Sequence, residues 1–326
     1  MASPSLGLED IVAALLPGPE VLAWGLAVAL ALDMIYPRHS GLALKLHPVR
    51  TSYIAALRLA RPGSGFLWGI AVWIAVVTPH LAAVGLLLVV AYAIHPALHA
   101  LAVGIVLKHS MSLRLLLDTC LDAAFRLESG DLEGARARVQ EVVRRDTSRL
   151  GEGHLASACI ETTVESLVDG YTSPLTYYAI AGPLAALLQR LANTLDGAIG
   201  FKTPGLYRVG WFSARMDTVL NLIPARLTVL ALALASPLAG GSPRRAIAVW
   251  ARWRGATESL NAGHPMAATA GALGVKLEKL GSYIINPGSK LPASTHIYKA
   301  VSLAYAAAAL YTIAAVALLV ARILWW

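Results

Sequence analysis

Three carboxylates at helical spacing are the residues of this sequence best placed to do chemistry. Glu161, Glu165 and Asp169 recur every four residues, so on a helix they fall within an arc of about 80°. Oxygen ligands in such an arc suit Mg²⁺, which would bridge nucleotide phosphates. The alternative is a solvent-exposed stripe without a function, because charged helix faces are usually solvated. Two features favour a functional site over a solvated stripe. Gly170 would end the helix just after Asp169, and the helix dipole disfavours an anion at that end. The acidic stripe also leads directly into an apolar segment and not into a loop.

A cationic and polar segment precedes the predicted acidic helix. Arg145 could bind a phosphate together with the free amides at the helix start, as guanidinium groups and helix N-termini do. Asp146, Thr147 and Ser148 are equally well explained as N-cap residues with no function in catalysis. Both interpretations stay open on the sequence alone.

The densest group of polar side chains lies between two apolar segments. Its members are Asn193, Asp196, Lys202, Arg215, Asp217, Asn221 and Arg226. Burial of so many ionisable and amide groups is costly unless they pair with one another or bind a ligand. Internal pairs, such as Arg215 with Asp217, are the alternative to a binding site. Asn261 adds a weaker signal, since its segment reads as an ordinary loop, and His47 lies in the first basic loop, where it could contact a ligand.

Several familiar sites are excluded by what the sequence lacks. No GxxxxGK[ST], GxGxxG or GxSxG motif is present, so any nucleotide site is unconventional. Cys120 and Cys159 have no CxxC partner, which excludes a disulfide framework or a zinc cluster of cysteines and predicts two buried thiols.

The composition of the sequence predicts that membrane helices position these residues. Of 326 residues, 57% are hydrophobic and 14% are charged, which does not fit a water-soluble protein. The formal net charge is +8, and residues 36–61 contain five Arg or Lys and no acid. This bias predicts cytoplasmic loops near anionic lipid, or phosphate-bearing substrates. Nucleic acid is not an expected partner, because no basic helix is interleaved with aromatic residues.

Four membrane spans are predicted, at residues 19–35, 64–78, 81–107 and 300–324. The middle two divide a run of 46 residues without Asp, Glu, Lys or Arg. As a helix this run would be about 69 Å long, enough for two crossings of a core about 30 Å thick. The break is expected near Thr78-Pro79-His80, and the basic segments on both sides of the run agree with a return to the cytoplasm.

The remaining segments predict a cytoplasmic hairpin and a polar cavity. Residues 108–154 read as a water-exposed helical hairpin that turns at 129–131, or as a packed cap without chemistry. Segments 174–192 and 218–240 are apolar but contain Pro and Arg, so at least one should be re-entrant or buried in protein beside a cavity. The predicted fold is an all-α polytopic membrane protein, with residues 1–326 in a single membrane-embedded domain.

Several short motifs follow one another in a fixed order along the chain. They are Arg145-Asp146-Thr147-Ser148, Glu161-x3-Glu165-x3-Asp169-Gly170, Asn193-Thr194-Leu195-Asp196, Gly200-x-Lys202, Gly210-Trp211-x2-Ala214-Arg215-x-Asp217-x3-Asn221-x2-Pro224-Ala225-Arg226 and Asn261-Ala262-Gly263. The early Asp33, Pro37 and His47-Pro48-Val49-Arg50 fit the same pattern. Over about residues 33–275, this ordered set resembles the cobinamide-phosphate synthase family of cobalamin biosynthesis (CobD/CbiB).

The resemblance implies a membrane ligase that uses ATP. It would join the propionate carboxylate of adenosylcobyric acid to (R)-1-aminopropan-2-ol or its O-phosphate. The product would be adenosylcobinamide or its phosphate. This sequence departs from the family pattern at Ser166, Phe201 and Thr218, where Asn, Tyr and a second Asp are usual. Thr218 leaves Asp217 as a single carboxylate.

Combined with the resemblance, the chemistry predicts a role for each group of residues. Mg²⁺ is assigned to Glu161, Glu165 and Asp169, with Asp217 as a further catalytic carboxylate. Phosphate groups are assigned to Arg145, Lys202, Arg215 and Arg226. The corrin amides or the amine are assigned to His47, Asn193, Asp196, Asn221 and Asn261. We expect these groups to share one chamber that faces the cytoplasm. The alternative is a transporter or corrinoid-binding membrane protein without catalysis, although the inverted repeat typical of transporters is not visible.

Overall fold

The computed structural model describes residues 6–325, which are mostly helical. The helices are α1 (Leu8–Leu15), α2 (Pro19–Ile35), α3 (Gly41–Lys45), α4 (Pro48–Leu59), α5 (Phe66–Ile94), α6 (Pro96–Ser110), α7 (Arg114–Glu128), α8 (Leu132–Gln140), α9 (Glu152–Leu167), α10 (Ser173–Ala181), α11 (Pro183–Ile199), α12 (Trp211–Ala235), α13 (Pro243–Trp253), α14 (Gly263–Leu273) and α15 (Ser294–Trp325). A π-helical turn, Val168–Thr172, joins α9 to α10, and a 3₁₀ turn, Ser236–Ala239, follows α12. Strands β1 (Leu277–Lys279) and β2 (Tyr283–Ile285) form an antiparallel hairpin with Leu277 opposite Ile285.

Five helical stretches within the described residues are long and apolar enough to cross a membrane. They are Leu8–Ile35, Phe66–Ile94, Pro96–Glu128, Trp211–Ala239 and Ser294–Trp325. Their number and length confirm the prediction of an all-α polytopic membrane protein. The spans predicted at 19–35 and 300–324 lie within the first and last stretches.

The break between the two middle spans is not where the sequence suggested. α5 continues through Pro79 and ends at Ile94, so the predicted division into 64–78 and 81–107 is wrong. His95 has an extended backbone, and its Nδ1 accepts a hydrogen bond from the Ala97 amide at 3.1 Å, which makes it the N-cap of α6. A proline inside an apolar helix can bend it without ending it, whereas Pro96 at the first helical position suits a helix start.

Residues 6–112, 173–220 and 314–325 form one compact unit, called the first unit below. In this unit α2 packs along α6, and α11 packs against α4, α5 and α6. Lys108 on α6 forms an ion pair with Asp33 on α2, with Nζ 2.5 Å from Oδ1, and both residues are buried. The pair offsets the cost of removing two charges from water.

In the first unit, α10 and α11 form a helical hairpin in place of the irregular segment predicted at 174–192. The two helices pack against each other. The turn is Gly182, whose φ of +81° favours glycine, and Pro183 occupies the first position of α11. The helices on both sides of Gly182 are regular, so the segment turns at one residue.

The two ends of α11 lie at different ends of the first unit. Gly182 is beside Pro17, because a Cβ at Gly182 would be 3.5 Å from the ring of Pro17. Beyond the other end of α11, the carbonyl of Gly205 accepts a hydrogen bond from the Gly63 amide at 2.8 Å. The loop that contains Lys202 therefore contacts Gly63, which follows the basic segment 36–61 in the sequence. We expect that basic segment to be cytoplasmic.

A cysteine at position 202 is expected to react with a membrane-impermeant maleimide from the cytoplasmic side. The native Cys120 and Cys159 are buried free thiols, as predicted, so they give little background. Glu20→Cys is the matched control, because this exposed residue lies in the first turn of α2 near Pro17 and should react only from the opposite side. Labelling of Lys202→Cys from the outside alone would contradict the predicted orientation.

Residues 113–172 and 221–313 form the other compact unit, the second unit below. α7 and α8 pack together across the predicted turn, and both contact α9. The side chain of Asp131 caps α8 by accepting a hydrogen bond from the Gly134 amide at 2.8 Å. α8 ends at Gln140, so the second helix of the hairpin stops well before residue 154. α14 and β1 pack against α9.

α12 differs from the prediction for residues 218–240. It runs without interruption from Trp211 to Ala235, with Pro224 inside the helix. Pro224 does not interrupt α12, just as Pro79 does not interrupt α5. The expected irregularity is therefore absent from this helix.

Candidate active site

Glu161 is the centre of a buried polar cluster in the second unit. Its side chain is 1% exposed and has three donors. The Arg145 guanidinium forms an ion pair with Oε2, and Tyr283 donates its hydroxyl to the same oxygen at 2.7 Å. Ser157 donates its hydroxyl to Oε1 at 2.6 Å. These partners compensate for the loss of water around the carboxylate. Arg145, which the sequence assigned to a phosphate, has Glu161 as a partner inside the protein.

Glu165 follows Glu161 by one helical turn and is half-buried. Loss of water raises the pKa of Glu165 to about 7, and the negative charge of Glu161 adds to this rise. The positive charge of Arg145 opposes it. Glu165 therefore changes its charge near neutral pH.

Asp169 lies in the π-helical turn and not at a helix end. The prediction that Gly170 ends the acidic helix is wrong, because the chain continues through this turn into α10. A π turn has a wider winding than an α-helix, so the ideal spacing from Glu161 does not extend to Asp169. Such turns are frequent at functional sites.

The alternative explanation of the segment before α9 is also wrong. α9 has Gly151 as its N-cap, with no side-chain cap. Asp146 instead accepts a hydrogen bond from the Ser148 amide at 2.9 Å, and the Thr147 hydroxyl donates to the Arg136 carbonyl at 2.9 Å. These residues shape a loop that places Arg145 against Glu161.

The β-hairpin supplies two contacts that the sequence did not predict. Tyr283 reaches Glu161 from β2, and the amide of Glu278 on β1 donates to the Ser157 hydroxyl at 2.8 Å. Burial raises the pKa of Tyr283, and the charge of Glu161 raises it further, so the phenol stays protonated and donates. Strands of three residues are too short for an alternation of polar and apolar residues to reveal them.

The acidic cluster fits Mg²⁺ in part. Among the described residues, the group of three whose potential ligand atoms lie within 4.8 Å of one another consists of histidines and not of these carboxylates. Both oxygens of Glu161 already accept hydrogen bonds. Burial and, to a smaller extent, the charge of Glu161 raise the pKa of Glu165, and a bound cation would favour its carboxylate form. Glu165 and Asp169 are therefore the residues that could hold the ion, with Glu161 positioning Arg145.

A second polar cluster of the second unit is cationic. Arg226 on α12 donates to the Asn261 side-chain oxygen at 3.1 Å, so the structure brings these two predicted site residues together. The Trp250 indole donates to His264 Nδ1 at 2.9 Å. Burial lowers the pKa of His264 to about 4, and the charges of Arg226 and Arg254 contribute. The imidazole is neutral at physiological pH, and the net positive charge around it suits an anion.

Asn221 is on the same helix as Arg226 and is 1% exposed. A buried amide must satisfy its donors and acceptors inside the protein or with a ligand.

In the first unit, the structure joins Asn193 and Asp217. The Asn193 amide on α11 donates to Oδ1 of Asp217 on α12 at 3.0 Å. Arg190, which the sequence did not single out, donates to the Asn193 side-chain oxygen at 3.2 Å. Its position three residues before Asn193, on the same helix face, was the signal available in the sequence.

The other predicted residues of the first unit are more exposed. Asp196 is half-buried near the end of α11, and Lys202 and Arg215 are exposed. The loop of Lys202 begins directly after the helix that contains Asp196. Exposure leaves both cations accessible to a solvated phosphate.

His47 is the N-cap of α4, with Nδ1 accepting a hydrogen bond from the Val49 amide at 3.2 Å. Its ring lies against two other histidines, His39 and His109, with centroid distances of 4.6 Å and 4.7 Å. Burial lowers the pKa of His47 to about 3, and the neighbouring His109, His39 and Arg190 lower it further. His47 is thus a neutral imidazole at physiological pH.

Comparisons with known proteins match this chain almost from end to end. The CobD/Cbib protein family matches residues 26–320. A relative from Aeropyrum pernix, named probable cobalamin biosynthesis protein CobD, is 58% identical over 307 residues, which are 94% of this chain and 96% of its own length. A relative of the same name from Methanothermobacter thermautotrophicus is 34% identical over 91% of this chain and 97% of its own length.

A relative from Pelobacter propionicus, named cobalamin biosynthesis protein CobD, is 40% identical over 57% of this chain and 59% of its own length. No solved structure matches this chain. The family match includes the acidic helix, the cationic cluster and the polar residues of α11 and α12. This chain belongs to the CobD/CbiB protein family.

Proposed function

We propose that this protein is a membrane-embedded, ATP-dependent ligase of cobalamin biosynthesis. It joins the free propionate carboxylate of adenosylcobyric acid to (R)-1-aminopropan-2-ol or its O-phosphate, and gives adenosylcobinamide or adenosylcobinamide phosphate. The observation that supports this most is the family match over residues 26–320, with relatives named for cobalamin biosynthesis. The buried acidic and cationic clusters provide side chains of the kind that this reaction needs.

Formation of an amide from a carboxylate requires activation, because a carboxylate is a poor electrophile. ATP, when bound with Mg²⁺, supplies the phosphoryl group that turns the carboxylate into an acyl phosphate. The amine then attacks the acyl carbon and loses a proton, and the phosphate leaves with one former carboxylate oxygen. The residues of this chain must therefore bind phosphate, hold a large corrinoid and exclude water from the acyl group.

We assign the residues of the second unit by charge. Arg226, with Asn261 beside it, binds an anionic group of a substrate, and Arg145 is held by Glu161 in a position to bind a phosphate. Glu165 and Asp169 supply oxygen ligands for Mg²⁺. Asn221 contacts the corrin amides.

In the first unit, we assign Lys202 and Arg215 to phosphate groups. His47, Asn193 and Asp196 bind the corrin amides or the amine, and Asp217 is the catalytic carboxylate. The contact between Asn193 and Asp217 supports a shared role for these two side chains. Corrinoids have apolar faces and an amide rim, which suit a cavity lined by apolar helices and a few amides.

The pH dependence of the reaction is expected to follow Glu165. Since burial raises its pKa to about 7, the protonated form dominates below neutral pH, and only the carboxylate can hold Mg²⁺. At limiting Mg²⁺, kcat/KM should therefore rise with pH and level off above an inflection near pH 7. Saturating Mg²⁺ should move the inflection to lower pH, because the cation stabilises the carboxylate. A profile that is flat across neutral pH at limiting Mg²⁺ would contradict this assignment.

The direct test of the function is a reconstituted reaction. Purified protein is incubated with adenosylcobyric acid, aminopropanol phosphate and MgATP, and the corrinoids are analysed by mass spectrometry. The expected product has the combined mass of the two substrates less one water, and its formation requires ATP. Binding of the corrinoid without product under any of these conditions would favour a transporter or a non-catalytic corrinoid-binding protein.

A further inference from the structure

Three histidines from separate parts of the first unit converge on one point. His39 lies in the loop after α2, His47 begins α4, and His109 lies near the end of α6. One ring nitrogen of each lies within 4.8 Å of one ring nitrogen of each of the others. All three residues are half-buried. The proposed ligase reaction gives a role to His47 alone, as a substrate contact.

The ring spacing is close to that of a tetrahedral metal centre. With metal–nitrogen bonds of about 2.0–2.1 Å, two ligand nitrogens are about 3.3 Å apart, and the two ring centroids are about 5.2 Å apart. The observed centroid distances are 4.6 Å between His39 and His47, 4.7 Å between His47 and His109, and 5.2 Å between His39 and His109. Ring movements of roughly 1 Å would bring three nitrogens into one coordination sphere.

The hydrogen bonds of His109 and His39 favour a ligand at this point. Nδ1 of His109 lies 2.8 Å from the carbonyl oxygen of Ile105, which can only accept, so Nδ1 bears the proton and Nε2 presents its lone pair. A carbonyl in this position is the usual partner of a metal-binding histidine. Nδ1 of His39 is buried and has no hydrogen-bond partner among residues 6–325. A buried nitrogen without a partner requires an explanation, and a bound ion provides one.

We propose that His39, His47 and His109 bind one divalent transition metal ion of the Zn²⁺ type, with a fourth position open to a small ligand. Neutral imidazole is a preferred ligand of such ions, and sites with three protein ligands leave a position for water or an anion. The surroundings favour an anion as the fourth ligand. The positive charges of Lys108 and Arg190 both lie close enough to act on His47.

His47 must change its hydrogen bond when the metal binds. The Nδ1 of His47 accepts a hydrogen bond from the Val49 amide at 3.2 Å, so a neutral His47 has its proton on Nε2. Coordination through Nε2 moves the proton to Nδ1 and removes this bond. The bond is at the long end of the normal range, so the metal replaces a weak interaction with a strong one.

Metal content tests the proposal without reference to ligase activity. The full chain is purified in detergent through an affinity tag that lacks histidine, equilibrated with Zn²⁺, and analysed for bound metal after removal of excess ion. We expect about one zinc per chain and, with Co²⁺ in its place, the visible absorption of four-coordinate cobalt. His39→Gln and His47→Asn should each lower the zinc affinity at least about 100-fold.

The variants are matched to separate metal binding from folding. Asn at position 47 can still cap α4, and position 39 lies in a loop, so neither change removes a helix contact. His296→Asn in the second unit is the control, because this histidine lies outside the cluster, and it should bind zinc like the unmodified chain. No zinc or cobalt on the unmodified chain, or equal affinity in the His39→Gln variant, would overturn the proposal.

Discussion

Replacement of Glu165 by Gln is expected to lower the turnover number at least about 100-fold while the protein stays folded. Gln has the shape of Glu but cannot bear the negative charge that a magnesium ion requires. The change also removes a carboxyl group whose ionisation is unfavourable in this setting, because burial and Glu161 raise its pKa to about 7. The variant should therefore be at least as stable as the unmodified protein near neutral pH.

The matched control for this prediction is Glu152→Gln. Glu152 lies on the same helix, in its exposed first turn, where its contribution is a modest interaction with the helix dipole. Its replacement should leave the turnover number almost unchanged. Near-normal turnover in Glu165→Gln, measured with the reconstituted reaction and with thermal stability in detergent as the folding check, would reject the metal assignment.

Replacement of Arg145 by Met is expected to cost about 3–5 kcal/mol of the free energy of unfolding. The change leaves the carboxylate of Glu161, which is 1% exposed, without its cationic partner. Ser157 and Tyr283 still donate hydrogen bonds to it, but two neutral donors do not balance a buried charge. Unfolding by a denaturing detergent in mixed micelles measures the loss.

The double variant with Arg145→Met and Glu161→Gln separates the ion pair from simple packing. The amide that Glu161→Gln introduces is neutral and can still accept from Tyr283, so most of the lost stability should return. If the double variant instead lost as much stability as the two single variants together, the contributions of Arg145 and Glu161 to stability would be independent of each other. Ligase activity should be lost in both Arg145 variants, because each lacks the proposed phosphate-binding guanidinium.

The sequence predicted the membrane character of the chain because this depends on composition and on long apolar runs. Residues 19–35 and 300–324 are apolar enough, and long enough, for their helical state to need no tertiary information. The boundary between the middle spans was wrong because both Pro79 and Pro96 are prolines in an apolar run. What distinguishes them is the His95 side chain, which caps α6 and thereby ends α5.

The sequence predicted which residues belong to the candidate site, but it did not predict which of them contact one another. Local spacing showed that Glu161 and Glu165 share a helix face, and the order of the motifs showed the family. The partners of Glu161 could not be read from spacing, since Arg145 is 16 residues away and Tyr283 is 122 residues away. The same limit applies to His39 and His109, which only the packing of α2 against α6 brings together.

The central claim, that this protein activates a carboxylate with ATP and transfers it to an amine, can be tested by following one oxygen atom. Adenosylcobyric acid labelled with ¹⁸O in its free carboxylate is converted by the purified protein with MgATP and aminopropanol phosphate. The account predicts that one labelled oxygen leaves in the phosphate-containing product of ATP and that the amide retains the other. An amide formed without label in that product, or no amide at all while ATP is present, would contradict it.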